Sequence, residues 1–95
     1  MALSERSEND KIEVVGAFKA VQVRRADIIE KDRVEVARSF HRHALVPGSV
    51  DADDNWTDTD ISGEDADVQA ICNAAWTQSV KDAYKAHLIA TRDAV

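Results

Sequence analysis

Ninety-five residues make one domain with no room for a second core, and a chain this short buries only about 60–65% of its unfolded surface. A net charge of −6 excludes a general nucleic-acid binder, because phosphate contacts need a basic surface. The single cysteine, Cys72, excludes an internal disulfide and reads as a small buried hydrophobe in a chain folded in a reducing cytoplasm.

Residues 1–10 are polar, with no apolar run of signal-peptide length, and are expected to form an N-terminal arm. Nothing downstream approaches the ~20 apolar residues of a membrane span. A β-ribbon is expected over residues 11–46. Lys11-Ile-Glu-Val-Val15 alternates and is β-branched, which predicts a first short strand ending at Gly16. Residues 18–30 read as a second, longer strand and residues 33–46 as a third, joined by a two-residue turn at Lys31-Asp32 and closed by Pro47-Gly48.

That turn would set Ile29 opposite Val34, Val23 opposite Phe40 and Arg25 opposite Arg38. Two opposed arginines are unfavourable unless an acid or a bulge intervenes. Val21 and Val23 are odd-numbered while Ala26 and Ile28 are even, so the apolar phase slips, and a β-bulge near residues 24–26 is the simplest repair. In the third strand Val34, Val36 and Phe40 share a face with Arg38 and Arg42. A ribbon carrying arginines on its nominal core face suits insertion between neighbouring subunits.

Residues 49–62 form an acidic loop with Trp56 as its one anchor. Between positions 51 and 67 there are eight acidic residues and no Lys or Arg. Ser62-Gly-Glu-Asp65 is a helix-start signal in which the serine hydroxyl caps and the acids favour the positive helix end. One long helix over residues 63–92 should follow, with Val68, Ile71, Cys72, Ala75, Trp76, Val80, Ala83, Tyr84 and Leu88 in a stripe at helical spacing. The predicted fold class is therefore α+β: a three-stranded antiparallel meander or hairpin with one long C-terminal helix packed on it. The Val34/Val36/Phe40 face is expected beneath Val68, Ile71, Cys72 and Trp76.

His41-Arg42-His43 is the most suggestive constellation, since alternate strand residues point the same way. His41 and His43 are metal-ligand candidates only if a three-fold assembly multiplies them, and half-exposed strand histidines are the ordinary reading. Asp53, Asn55, Thr57 and Glu64 mimic calcium-loop spacing, but Asp58 stands where the sharp turn needs glycine. No phosphate loop, dinucleotide fingerprint, zinc spacing or complete catalytic constellation is present, so neither an enzyme nor a cofactor is expected. The candidate interface residues are Arg24, Arg25, Arg38 and Arg42 on the ribbon and Asp53, Asp54, Trp56, Asp58 and Asp60 on the acidic loop. The basic ribbon and acidic loop suit head-to-tail pairing of copies, with solvated surface charge as the plain alternative.

Lys11-Ile-Glu-Val-Val15, Ala20-Val-Gln-Val-Arg24, Ser39-Phe-His-Arg-His43, Ser62-Gly-Glu-Asp65 and Val68-Gln-Ala-Ile-Cys-Asn-Ala-Ala-Trp76 resemble a family of small proteins encoded by tailed bacteriophages. The resemblance covers most of the chain and implies a virion component, made in the host bacterial cytoplasm. It implies a minor structural protein of the tail, baseplate or fibre region, in multicopy contact with other virion proteins. A capsid decoration protein and a soluble regulator of a host target are the alternatives. The segment around residues 51–60 is longer than the resemblance implies.

Overall fold

The computed structural model describes residues 2–93, so Met1 of the expected arm lies outside it. The chain is α+β, as expected. Strands β1 (Leu3–Val15), β2 (Ala20–Lys31) and β3 (Val34–Leu45) form an antiparallel meander in that order. A small hairpin follows, β4 (Gly48–Val50) with β5 (Trp56–Asp58), and then two helices, α1 (Ala66–Ala75) and α2 (Gln78–Asp93). Among the described residues no helix is long and apolar enough to cross a membrane.

The expected arm is instead the first half of β1. Residues 3–9 lack an apolar alternation, yet pair with residues 25–31 of β2. Cross-strand polar bonds hold them: Arg6 Nε donates to Glu30 at 2.7 Å and Ser7 Oγ to Asp27 at 2.7 Å. The β2–β3 turn centres on Asp32 and Arg33, both at positive φ (53° and 70°), one residue later than expected. That left-handed pair matches the twist of a two-residue hairpin even without glycine.

Val36 is an extra residue on β3, where the register shifts between Ile29 and Glu30. Ile29 therefore faces Ala37, Val23 faces His43 and Arg25 faces His41, three positions from expectation. An odd shift exchanges the two faces of a strand. Phe40 is thereby turned to the face away from the helix and is 42% exposed, while Val34, opposite Lys31 beyond the bulge, and the bulged Val36 lie near the β2–β3 turn, away from the helix, and are 64% and 56% exposed.

The core instead joins Val21 and Val23 of β2 to Val68, Cys72 and Trp76, with Ile12, Leu45, Ile61, Ile71 and Val80 packed around them. The apolar phase slip in β2 needs no bulge in β2 itself. Val23 and Ala26 are three apart on a continuous strand, so they point to opposite faces. The bulge sits across from the slip, on β1, where Asp10 is the extra residue between Asn9 and Lys11.

The single expected helix is broken at Trp76, whose φ of −90° and ψ of 70° leave the helical region. Its indole N–H donates to the Lys19 carbonyl at 2.8 Å, which ties the break to the β1–β2 turn. Thr77 then caps the second helix, its Oγ1 accepting from the Val80 N–H at 3.3 Å. The first helix begins at Ala66, three residues later than expected, with Asp65 at the cap and Ser62 uninvolved in capping. Helix α2 lies on the small hairpin. Tyr84 meets Trp56 edge-on at 6.3 Å and Phe18 at 5.4 Å. Gly48 is required here, because a Cβ would stand 2.4 Å from the Trp56 ring.

Because α1 covers only the half of the sheet nearest the β1–β2 turn, the other half projects as a bare ribbon. The molecule measures 59 × 27 × 20 Å with a radius of gyration of 17.7 Å. A compact chain of this length would have about 12.4 Å.

Candidate interaction surface

Strand β2 is enclosed by its neighbours, whereas β1 and β3 each present an open edge. Unpaired edges are templates for another strand unless charge or cover blunts them. Among the described residues, six of the eight exposed large hydrophobics lie on these two strands: Leu3, Val14 and Val15 on β1, and Val34, Val36 and Phe40 on β3. The apolar surface left over from folding is thus concentrated on the sheet edges.

One face of the ribbon is a sheet of ion pairs. Asp10, projecting at its bulge, takes Arg24 through two bonds of 2.9 and 2.7 Å, and Arg38 approaches it at 3.8 Å. Arg38 is held by Glu35 at 3.0 and 2.6 Å, and Arg6 by Glu30 at 2.7 Å and Glu8 at 3.2 Å. The Arg24 guanidinium also lies 4.5 Å over the Phe40 ring. The register sets Ala26 and Ile28 on this same face, and both are fully buried although no helix covers them. Arginine stems and the Phe40 ring provide that cover. The opposed arginines are Arg24 and Arg42, and Asp10 neutralises the first of them. Hydrogen bonds from Arg24 hold the Asp10 carboxyl below its usual range, and those from Arg38 do the same for Glu35.

Arg42 differs from Arg6, Arg24, Arg25 and Arg38, which are all paired with acids. It is exposed and makes no hydrogen bond or ion pair among the described residues. It lines an open basin of about 450 Å³ together with Lys11, Glu13, Gln22, Arg24 and Ala44.

The opposite face carries Arg25, His41 and His43. Arg25 bonds Asp27 at 3.0 Å, and His41 Nε2 lies 3.0 Å from the same carboxylate. His43 Nε2 lies 2.8 Å from Glu64, in the turn before α1. Asn9 reaches Asp65 at 2.9 Å and Asp67 at 3.2 Å. The two histidines share a face as expected, but each is matched to a different acid. Among the described residues no group of three or more His, Cys, Asp or Glu is placed to hold a metal ion.

The acidic loop is largely satisfied within the chain. Asp51 accepts from the backbone of Asp53 and Asn55, Asp54 pairs with Arg92, and Asp58 takes both the Trp56 indole N–H and Lys81. Asp60 accepts from the Ser62 N–H at 2.9 Å, while the Asp53 side chain stays exposed. Of the interface candidates, Arg24, Arg38 and Arg42 are brought onto one face, Arg25 faces away, and the loop residues sit on the β4–β5 hairpin beside α2. Sequence reasoning missed Arg6 and, with it, Glu8 and Asp10, whose carboxylates help turn one sheet edge acidic. Their only signal was the alternation of charge with serine in what read as an arm.

The fold and surface define an elongated α+β protein whose three-stranded ribbon is open along both edges. No protein-family model matches the chain, and no curated protein or solved structure is significantly similar to it.

Proposed function

We propose that this chain is a structural component of a multi-chain assembly and acts by binding other protein chains, not by catalysis. The observation that carries the reading is the bare ribbon, two open edges that hold six of the eight large exposed hydrophobics among the described residues. Strand addition at such edges supplies main-chain hydrogen bonds, and alternate side chains supply selectivity. Small domains commonly gain stability in this way from a larger assembly. In the setting implied by the phage resemblance, that assembly is the virion, in its tail, baseplate or fibre region. The test is quantitative mass spectrometry of purified particles separated into heads and tails. Stoichiometric recovery in tails supports this role, recovery in heads makes it a decoration protein, and absence from both overturns the structural reading.

A further inference from the structure

The two open edges differ in charge. Strand β1 carries Glu5, Glu8, Asp10 and Glu13 against Arg6 and Lys11, a net charge of −2. Strand β3 carries Glu35 against Arg38 and Arg42, a net charge of +1. Both run antiparallel to β2, so they run in the same direction. A second copy laid beside the first by translation within the sheet plane therefore sets its β1 parallel to β3 of its neighbour, with the ion-pair faces on the same side.

Without a shift along the strands, like charges would meet. The sheet register puts Arg42 level with Lys11, and Arg38 level with Arg6. Sliding one copy by two residues, about 6.6 Å, removes both conflicts. Arg42 then meets Glu13, Arg38 meets Glu8 and Glu35 meets Arg6, and the extra residue Val36 keeps the last pair in step. This register also supplies the acid that Arg42 lacks within its own chain.

The exposed area is sufficient for such a contact. The chain exposes 6385 Å². A compact monomer of its mass would expose about 5,400 Å². The surplus approaches 1,000 Å², against about 800 Å² per partner in a standard interface.

We propose that the partner of these edges is a second copy of this chain, β3 of one against β1 of the next, locked by Arg42 to Glu13 and Arg38 to Glu8. The inference rests on the structural reading above and names its first contact. Such an interface is head to tail, so it builds a ring or an open filament instead of a closed pair.

Sedimentation of the full chain across its soluble concentration range tests this, with circular dichroism verifying that each variant is folded. The wild type should form multiples of its monomer mass, and association should weaken in high salt. R42E and E13R should each sediment as monomers, and an equimolar mixture of the two should regain association, because each variant supplies the charge the other lacks. A wild-type chain that is monomeric at every concentration overturns edge pairing, and leaves the structural role intact if the chain is stoichiometric in particles. Association untouched by either charge reversal also overturns this interface. Association with the expected charge dependence, in a chain missing from particles, upholds the pairing and removes only the virion role.

Discussion

Replacing Ile28 by alanine tests whether the bare half of the ribbon is a packed structure in its own right. Ile28 is 1% exposed, yet no helix covers it, and the cover comes from Arg6, Arg38 and Phe40 on the same face. The substitution removes three carbons, about 2.4 kcal/mol at ~0.8 kcal/mol each. A residual cavity adds to this, but long arginine stems can settle into the space, so the cost should stay near the low end of the range, about 2–3 kcal/mol. For 95 residues the total stability is of order 5–14 kcal/mol. Urea unfolding should therefore shift measurably. Hydrogen exchange should localise the loss, with amides of residues 3–9, 25–31 and 34–41 exchanging faster while those of Val21 and Val23 hold. A shift below about 0.5 kcal/mol with unchanged exchange would refute the idea that arginine stems bury this side chain.

Arg33→Gly should stabilise the fold by about 1 kcal/mol in a urea melt, since Arg33 holds a φ of 70° that glycine adopts freely. Gly48→Ala should destabilise it by about 1–3 kcal/mol in the same assay and quench or shift Trp56 fluorescence, because the new methyl collides with that ring. Trp76→Phe removes the indole donor from the Lys19 carbonyl and leaves space behind it, so a loss of about 2–4 kcal/mol should appear in the melting profile. Asp10, Asp27, Glu35, Asp51, Asp58 and Asp60 all titrate below their ordinary values in the folded chain. Each binds a proton more weakly folded than unfolded. The stability they lend is complete above the unfolded carboxyl pKa of about 4 and is lost as pH falls through the lower folded values. The urea midpoint should thus fall on acidification below about pH 4, and Asp10→Asn should reduce that fall.

Local patterning made the outline legible. The helical stripe through Val68, Cys72 and Trp76 identified the helical half of the core, whereas its sheet half is Val21 and Val23 in place of the expected Val34, Val36 and Phe40. What escaped depends on partners distant in sequence. Residues 3–9 are a strand because Glu30 and Asp27 receive Arg6 and Ser7, not because of their own propensity. The helix breaks at Trp76 because its indole is held by a turn 57 residues away. The register hinges on one extra residue, Val36, that no local pattern marks, and that residue alone moved Phe40 from the expected core to the surface. The acidic edge was hidden for the same reason, since Glu8 and Asp10 join the site only once their segment pairs with β2.

Cys72 turns the core into its own reporter. Its side chain is wholly enclosed, and burial raises the thiol above its ordinary pKa, so a thiol reagent finds neither access nor thiolate in the folded chain. Labelling must therefore await the moment when α1 lifts from Val21 and Val23, and no other sulfhydryl contributes to the signal. The rate of modification of the isolated chain becomes a clock for helix detachment. A partner that clamps the ribbon and tightens the whole fold would slow that clock without touching the cysteine.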